Sequence, residues 1–400
     1  MGHVYDRARE LYYQVGETSQ LFSVLWGLWL YYVVRGDHPI AYEIGQQLCD
    51  LERSEQVIFP WAHYASGCSL FWLGDIMQAR ESLERGLALY DQRQHSSLLS
   101  LYSQDPRVVS LLYRSWALWF LGYPEQALQC STEAIEWAQE LVHPFSLAFA
   151  WDYAAEVSRL RREARMTQQR AETAVALCVE QGFPFWAAWG MVMHGWALAE
   201  QGKHEEGITA MREGLVAYEA TGAGMGKTLF LSLLADAYGK AGQPEAGLQS
   251  LSEALEFLNK ANEHAYEAEL YRLRGELTLQ QFKVQSSEFQ VPSPQPLTPS
   301  TQTEAEAEAC FLKAIEIART QQAKSWELRA VMSLVRLRQQ QAAHHSPRNM
   351  HHASRSTPHE TRLALDAAHK MLSEVYNWFT EGFDTKDLQE AKALIEELSH

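Results

Sequence analysis

The chain of 400 residues is short of positive charge: 34 Lys and Arg stand against 50 Asp and Glu, a net charge of −16. Such a surface lacks the basic face that displaces counterions, which excludes unaided binding to nucleic acid or anionic lipid. Cysteine is also scarce. Cys49, Cys68, Cys130, Cys178 and Cys310 are odd in number and show no CxxC pair or metal spacing. They read as buried free thiols of a reducing cytoplasm, not as a disulfide framework or a zinc site. The most apolar runs, 21–34 and 183–199, fall short of the ~20 residues a membrane span needs, and the N-terminus has no apolar core of a secretory signal. No stretch alternates apolar and polar residues between turn signals, so β-sheet is not expected. There is no HExxH, no GxSxG elbow and no Cys/His pair with an orienting acid. The sequence supports no catalytic centre and implies no cofactor or metal.

What is present is a repeat. Residues 234–258 hold two apolar stripes at helical spacing, broken by Gly242 and restarted at Pro244. Glycine enters left-handed backbone space freely and ends the first helix, whereas proline suits a first helical turn, whose N–H has no intrahelical partner. Gly36, Gly74, Gly122 and Gly202 stand in the same register, with Arg162 where one glycine is missing. Five residues beyond each glycine comes a small residue (Ala41, Ala79, Ala127, Gly207, Gly247), and twelve beyond it usually another (Gly86, Ala134, Gly214, Ala254). Small residues seven apart on one face let a neighbouring helix approach closely. A period of about 40 with two helices per unit is the signature of an α-solenoid.

This register predicts helix pairs near 20–35 and 38–52, 57–73 and 76–91, 106–121 and 124–140, 144–161 and 164–181, 184–201 and 204–220, and 225–241 and 244–260. A seventh pair, 265–282 and 304–322, is parted by an insertion at 283–303 rich in Pro, Ser, Thr and Gln. Such a stretch cannot bury enough apolar area to offset its ordering entropy and is expected to be disordered. The eighth pair, 325–341 and 361–379, is parted by a His-rich insertion at 342–360, and 384–398 reads as a terminal cap. Residues 4–14 carry Tyr5, Ala8, Leu11 and Tyr12 at helical spacing, as a second helix whose first helix is absent. Either the chain begins inside a longer protein or another segment covers that stripe. The expectation is one elongated domain over 1–400, with repeats over 20–282 and 304–341 and a last helix and cap over 361–398.

TGAGMGKT at 221–228 approaches the phosphate-binding pattern GxxxxGK[ST] through Gly226, Lys227 and Thr228, but Thr221 occupies the first glycine position. It follows a helix where a P-loop follows a strand, so it reads as an inter-repeat turn. His344, His345, His351 and His352 stand in an insertion with nothing to orient them and read as a solvated loop. The remaining candidate is the concave surface of the solenoid. Register places Tyr64, Trp72, Trp116 and Trp119 near it in the N-terminal half, and Asp152, Arg159, Asp236, Lys240, Arg272 and Glu276 in the C-terminal half. Two readings fit: aromatic and charged anchors of an interface, or core tryptophans beside solvated charges.

The repeat pattern resembles tetratricopeptide repeats with long helices, like the sensor regions of large bacterial signalling ATPases. ARELYYQVGET, LFSVLWGLW, HPFSLAFA, EQGFPFW, GWALAEQG, LLADAYGKAGQPEAGL, YEAELYRLRGEL, ACFLKAIEIARTQQAKSWELRA and YNWFTEGFDTKDLQEAKALIEEL are similar to the C-terminal region of bacterial proteins that join a class III nucleotidyl cyclase domain, an AAA-type ATPase and a tetratricopeptide array. Neither catalytic domain lies in this chain, so no catalytic residue carries over. The resemblance implies an all-α, tetratricopeptide-like α-solenoid of about eight helix-turn-helix repeats. It further implies a non-enzymatic, cytoplasmic interaction or sensor module whose partner is a protein or its own upstream catalytic and ATPase domains. Two alternatives stand beside it. One is a small-molecule-sensing arm of a transcription-regulator ATPase, which a deep closed pocket favours over a long open groove; the other is a free-standing adaptor.

Overall fold

The computed structural model describes residues 18–56, 59–95, 99–288, 301–344 and 358–398. They form helices and turns, with no strand among them. Thr18–Arg35 (α1) pairs with His38–Glu55 (α2), and Pro60–Trp72 (α3) with Ile76–Leu89 (α4). Two short helices, Gln92–His95 (α5) and Leu99–Tyr102 (α6), lead to Pro106–Phe120 (α7) and Pro124–Glu140 (α8). Pro144–Leu160 (α9) and Ala164–Gln181 (α10), Pro184–Glu200 (α11) and His204–Ala220 (α12), and Lys227–Lys240 (α13) and Pro244–Ala261 (α14) continue the array. Glu267–Glu288 (α15) pairs with Thr301–Thr320 (α16) and Lys324–His344 (α17) with Pro358–Tyr376 (α18), before a last helix, Lys386–Leu398 (α19). The described residues therefore form an α-solenoid of eight helix pairs and a last helix.

Residues 4–14 and most of both insertions lie outside the described residues. The edges of the insertions differ from expectation. Helix α15 runs on to Glu288 instead of ending at 282, and α16 begins at Thr301; α17 reaches His344 and α18 starts at Pro358. The residues after 282 contain nothing that breaks a helix before Pro292, and Pro358 opens a first turn, where its missing N–H does no harm.

The turns follow from the glycines. Gly36, Gly74, Gly122, Gly202 and Gly242 all have positive φ, between 74° and 92°, and Arg162 adopts the same left-handed conformation at φ 62°. Each turn closes with two bonds back to the helix. Gly122 N–H donates to Trp119 O at 3.0 Å and Tyr123 N–H to Leu118 O at 2.8 Å; Arg162 N–H donates to Arg159 O at 2.8 Å and Glu163 N–H to Ser158 O at 2.9 Å. These satisfy carbonyls that the helix end would otherwise leave bare. The small residues five positions on set the helix spacing: Ala41, Ala79 and Ala127 are fully buried, and a Cβ at Gly207 would stand 2.5 Å from the carbonyl oxygen of Gly195.

The superhelix closes on itself after five pairs. Gly224 and Met225 N–H both donate to Val34 O (2.8 and 3.1 Å), and His264 N–H to Trp72 O (2.8 Å). Ser325 Oγ donates to Trp119 O (2.5 Å), and Glu381 accepts from the N–H groups of Glu125 and Gln126 at the start of α8 (3.0 Å each). Successive turns of the solenoid thus touch through backbone groups, and the inner faces of the first helices of each pair meet across the axis.

Candidate functional site

Several first helices are apolar around most of their circumference, as in α11, PFWAAWGMVMHGWALAE, which marks burial on two sides. One side packs on the second helices. The other builds an aromatic column along the axis: Tyr153 stacks on Phe149 (4.1 Å between centroids, 19°) and on Trp116 (4.2 Å, 8°), and Trp189 continues the stack from Tyr153 (5.5 Å, 17°). Several polar groups of the column are paired within it, although the Trp189 indole N–H has no partner. Trp72 Nε1 donates to Tyr113 Oη (3.0 Å), Tyr113 and Tyr153 hydroxyls lie 3.0 Å apart, and Trp116 Nε1 donates to Tyr153 O (3.0 Å).

This places the four aromatic residues predicted for the concave surface. Tyr64, Trp72, Trp116 and Trp119 are buried and present no accessible groove face. They fill the axis that a wider superhelix would have left open. Asp152 is also displaced from the groove. Its side chain is fully buried on α9, neither carboxylate oxygen has a hydrogen-bond partner, and a Cβ at Gly190 of α11 would lie 2.9 Å from Oδ1. Burial pushes the Asp152 carboxyl well above the usual carboxylate range.

The other five predicted residues, Arg159, Asp236, Lys240, Arg272 and Glu276, come together around a cleft of about 200 Å³ in the C-terminal half. Its walls come from α9, α11, α13, α15, α17 and α19, with Trp196, Tyr266 and Trp326 as aromatic surfaces. The charges are arranged in pairs along the helices. Arg159 donates to both oxygens of Glu156 (2.6 and 2.7 Å), which also accepts from Tyr266 Oη (2.7 Å). Arg272 donates to both oxygens of Glu269 (2.6 and 2.7 Å) and pairs with Glu276 (2.6 Å). Lys240 bridges Asp236 (2.6 Å) and Glu200. Burial works against charge at Asp236, yet Lys240 beside it holds the carboxyl below its usual range.

The cleft also depends on residues that register did not single out: Glu269, Arg329 and Asp387 line it, and the fully buried Glu156 holds Arg159 from behind. Glu156 and Glu269 carried a local signal, since each lies three residues before its arginine, the spacing at which helix side chains meet. Arg329 and Asp387 carried none, because they are brought together from different helices (Nη2 to Oδ2 2.7 Å). Trp326 is buried in the cleft wall and its indole N–H has no partner.

The GMGKT segment does grip an anion, but it is the chain's own. Gly226 and Thr228 N–H donate to Glu263 (2.7 and 2.9 Å), and Thr228 Oγ1 donates to the same carboxylate (2.5 Å). Buried Glu263 is bonded as well to His38, from the preceding superhelical turn, at 2.9 Å. Lys227 is paired with Glu219 (2.6 Å) and Glu253 (2.8 Å). Four cysteines are buried and Cys310 is half-buried; all are free thiols. Among the described residues no group of His, Cys, Asp and Glu is placed to hold a metal, and no helix is long and apolar enough to cross a membrane. The His-rich stretch lies almost wholly outside the described residues.

No family model matches the chain. An uncharacterized protein of Rhizobium meliloti (strain 1021) is 26% identical over 265 residues, which are 65% of this chain and 25% of that one, so the chain spans about a quarter of that relative's length. Among solved structures it is similar to NprR in complex with its cognate peptide NprX (11% identity, 95% of this chain and 99% of that one, TM-score 0.49). It is similar as well to a Rap protein complexed with competence and sporulation factor (13%, 95% and 97%, 0.47). A third is the Signal Transduction ATPase with Numerous Domains that carries a tetratricopeptide repeat sensor, from Pyrococcus horikoshii (13%, 88% and 46%, 0.43). At these identities no ligand of those proteins carries over to this chain.

Proposed function

We propose that the chain is a non-catalytic sensor arm of a larger bacterial signalling protein and that the polar cleft is its ligand site. The observation that carries this reading is the sealed axis. The aromatic column removes the long open groove that an extended partner would occupy and leaves a half-open cleft of about 200 Å³. Concave sites with a few placed polar groups suit small molecules. The walls carry arginine, lysine and carboxylates beside three aromatic rings, so the ligand is small, polar and charged. Because the cleft joins α9, α11, α13, α15, α17 and α19, a ligand that prefers one spacing of these helices shifts the whole solenoid toward it. Support for a parent with further domains comes from the resemblance to cyclase and ATPase proteins and from the relative that is far longer than the matched region.

The test is a thermal-shift screen of polar metabolites, with calorimetry on any hit, against the native chain and Arg272→Gln. Arg272 holds two carboxylates of the cleft at once. The expected result is a saturable ligand whose affinity falls about tenfold or more in the variant, the loss of one charge-assisted contact. A ligand bound equally well by both proteins overturns the cleft as the site.

A further inference from the structure

The first turn of α19 reaches into the cleft. Asp387 Oδ2 accepts from Arg329 Nε (2.8 Å) and Nη2 (2.7 Å), and Oδ1 accepts from Arg162 Nη1 (3.1 Å). Glu390 pairs with Arg162 (2.8 Å) and Arg336 (3.0 Å). Arg329 is built into place. Its guanidinium lies over the rings of both Trp119 (4.8 Å) and Trp326 (5.0 Å), and Nη2 also donates to Leu160 O (2.7 Å). A planar fork stacked on two indoles and tied to a backbone carbonyl is pre-organised to receive a carboxylate. The carboxylate it receives is internal.

The helix that supplies it docks through apolar and ionic contacts together. Of the thirteen residues of α19, those buried are Asp387, Leu388, Ala391 and Leu394, and Ile395 and Leu398 pack half-buried against the same core. The ionic part of the docking is the accessible part: Arg162, Arg336 and Glu390 are each about a third exposed or more, within reach of solvent and of a competing anion. Withdrawing Asp387 and Glu390 leaves three guanidinium groups side by side without counter-charge, and next to them the unpartnered Trp326 N–H.

We propose that Arg162, Arg329 and Arg336 form a carboxylate-binding subsite of the cleft, and that α19 is a displaceable strap that occupies it with Asp387 and Glu390 until a small dicarboxylate takes their place. The inference rests on the cleft being a ligand site. It adds the ligand's class and a built-in response, release of the last helix.

The probe is succinate, with succinamide as its uncharged counterpart, measured by calorimetry on the full chain, with hydrogen exchange followed in 386–398. Asp387→Ala/Glu390→Ala empties the subsite without touching the arginines. Succinate is expected to bind this variant at least about tenfold more tightly than the native chain, and succinamide neither protein. Adding Arg329→Gln to the variant abolishes the gain. In the native chain, saturating succinate accelerates exchange in α19 and leaves α13 unchanged. Equal affinity in both proteins, or binding with no change in α19 exchange, overturns the proposal. Should the alanine variant lose its fold, Asp387→Asn/Glu390→Gln keeps size and shape and is expected to show the same ordering. An acidic peptide that binds where succinate does not overturns the small-molecule form. A ligand lost in Arg272→Gln that leaves α19 exchange unmoved keeps the cleft and overturns the strap.

Discussion

The two halves of the solenoid's inner surface use the same positions of the repeat in opposite ways. Six residues before the turn stands Trp116 in one pair, Glu156 in the next and Asp236 two pairs on; three residues before it stand Phe71, Trp119 and then Arg159. Around Phe71, Trp116 and Trp119 the axis fills and seals; around Glu156, Arg159 and Asp236 the helices pair their charges locally and a cleft remains, with Trp196 in its wall. The backbone is therefore a constant, and the chemistry of a few inward positions decides whether a superhelical turn becomes core or site. Fully buried rings gain from dehydration and close contact. Part-exposed pairs such as Lys240 with Asp236 gain little from burial, whereas the buried Arg159–Glu156 pair offsets its desolvation with paired hydrogen bonds.

Substitution at matched positions breaks or sharpens that contrast. Trp116→Ala removes a buried ring that stacks on Tyr153 and donates to its carbonyl, and leaves a cavity at the axis. The expected loss is about 3–5 kcal/mol in urea denaturation. Asp236→Ala, at the same place in its own repeat, loses a pair with the part-exposed Lys240 and is expected to cost less than about 1 kcal/mol. Similar losses at the two sites would show that the cleft is as much a core as the column.

Asp152 sits at the boundary of the two regions and sharpens it through pH. Its carboxyl is buried without a partner, and the nearby Cys178 thiol, pushed up to about 12 by burial, carries no charge at neutral pH. With the folded value raised, the folded protein keeps this proton after the unfolded chain has lost it near pH 4. Stability then falls as pH rises from about 4, by about 1.4 kcal/mol per unit, until the folded value is passed. Asp152→Asn has no proton to lose. Its stability relative to the native chain is expected to grow from pH 5 to pH 8, and parallel curves would mean that Asp152 is ionised in the fold.

Much of this architecture was legible in residue order, and the rest was not for identifiable reasons. The turn glycines gave the period, and the gap in their series fell on Arg162, which does adopt the left-handed conformation. Turns between pairs were harder to see. Gly182 and Gly222 mark two of them, but Gln56, Val142, Asn262 and Gln322 take positive φ with only one residue type, Asn, that favours it. Local ion pairs such as Glu156 with Arg159 lie at helix spacing and could be read; His38 with Glu263 depends on the solenoid closing after five pairs, and Arg329 with Asp387 on how the last helix folds back on α17. That closure accumulates from small rotations between neighbours, which no single repeat records. Residue order alone therefore leaves both readings of the aromatic residues open, and their burial across the axis selects the core one.

The smallest expected effect is at Lys227, where a phosphate-binding spelling meets a filled nest. In a nucleotide site the backbone N–H groups of such a segment face an empty space and the lysine reaches into it. Here Gly226 and Thr228 donate to Glu263, which His38 holds from the other side, and Lys227 neutralises Glu219 and Glu253 over the ring of Phe257 (5.7 Å). No donor of the segment faces a free ligand. Lys227→Ala is therefore expected to lower stability by less than about 1 kcal/mol, because both its partners are well exposed. ATP binding is expected to be undetectable before and after the substitution. Magnesium-dependent ATP binding that disappears in Lys227→Ala would show that Glu263 can leave the nest, and the inner contact between superhelical turns would then be a gate in place of a fixed joint.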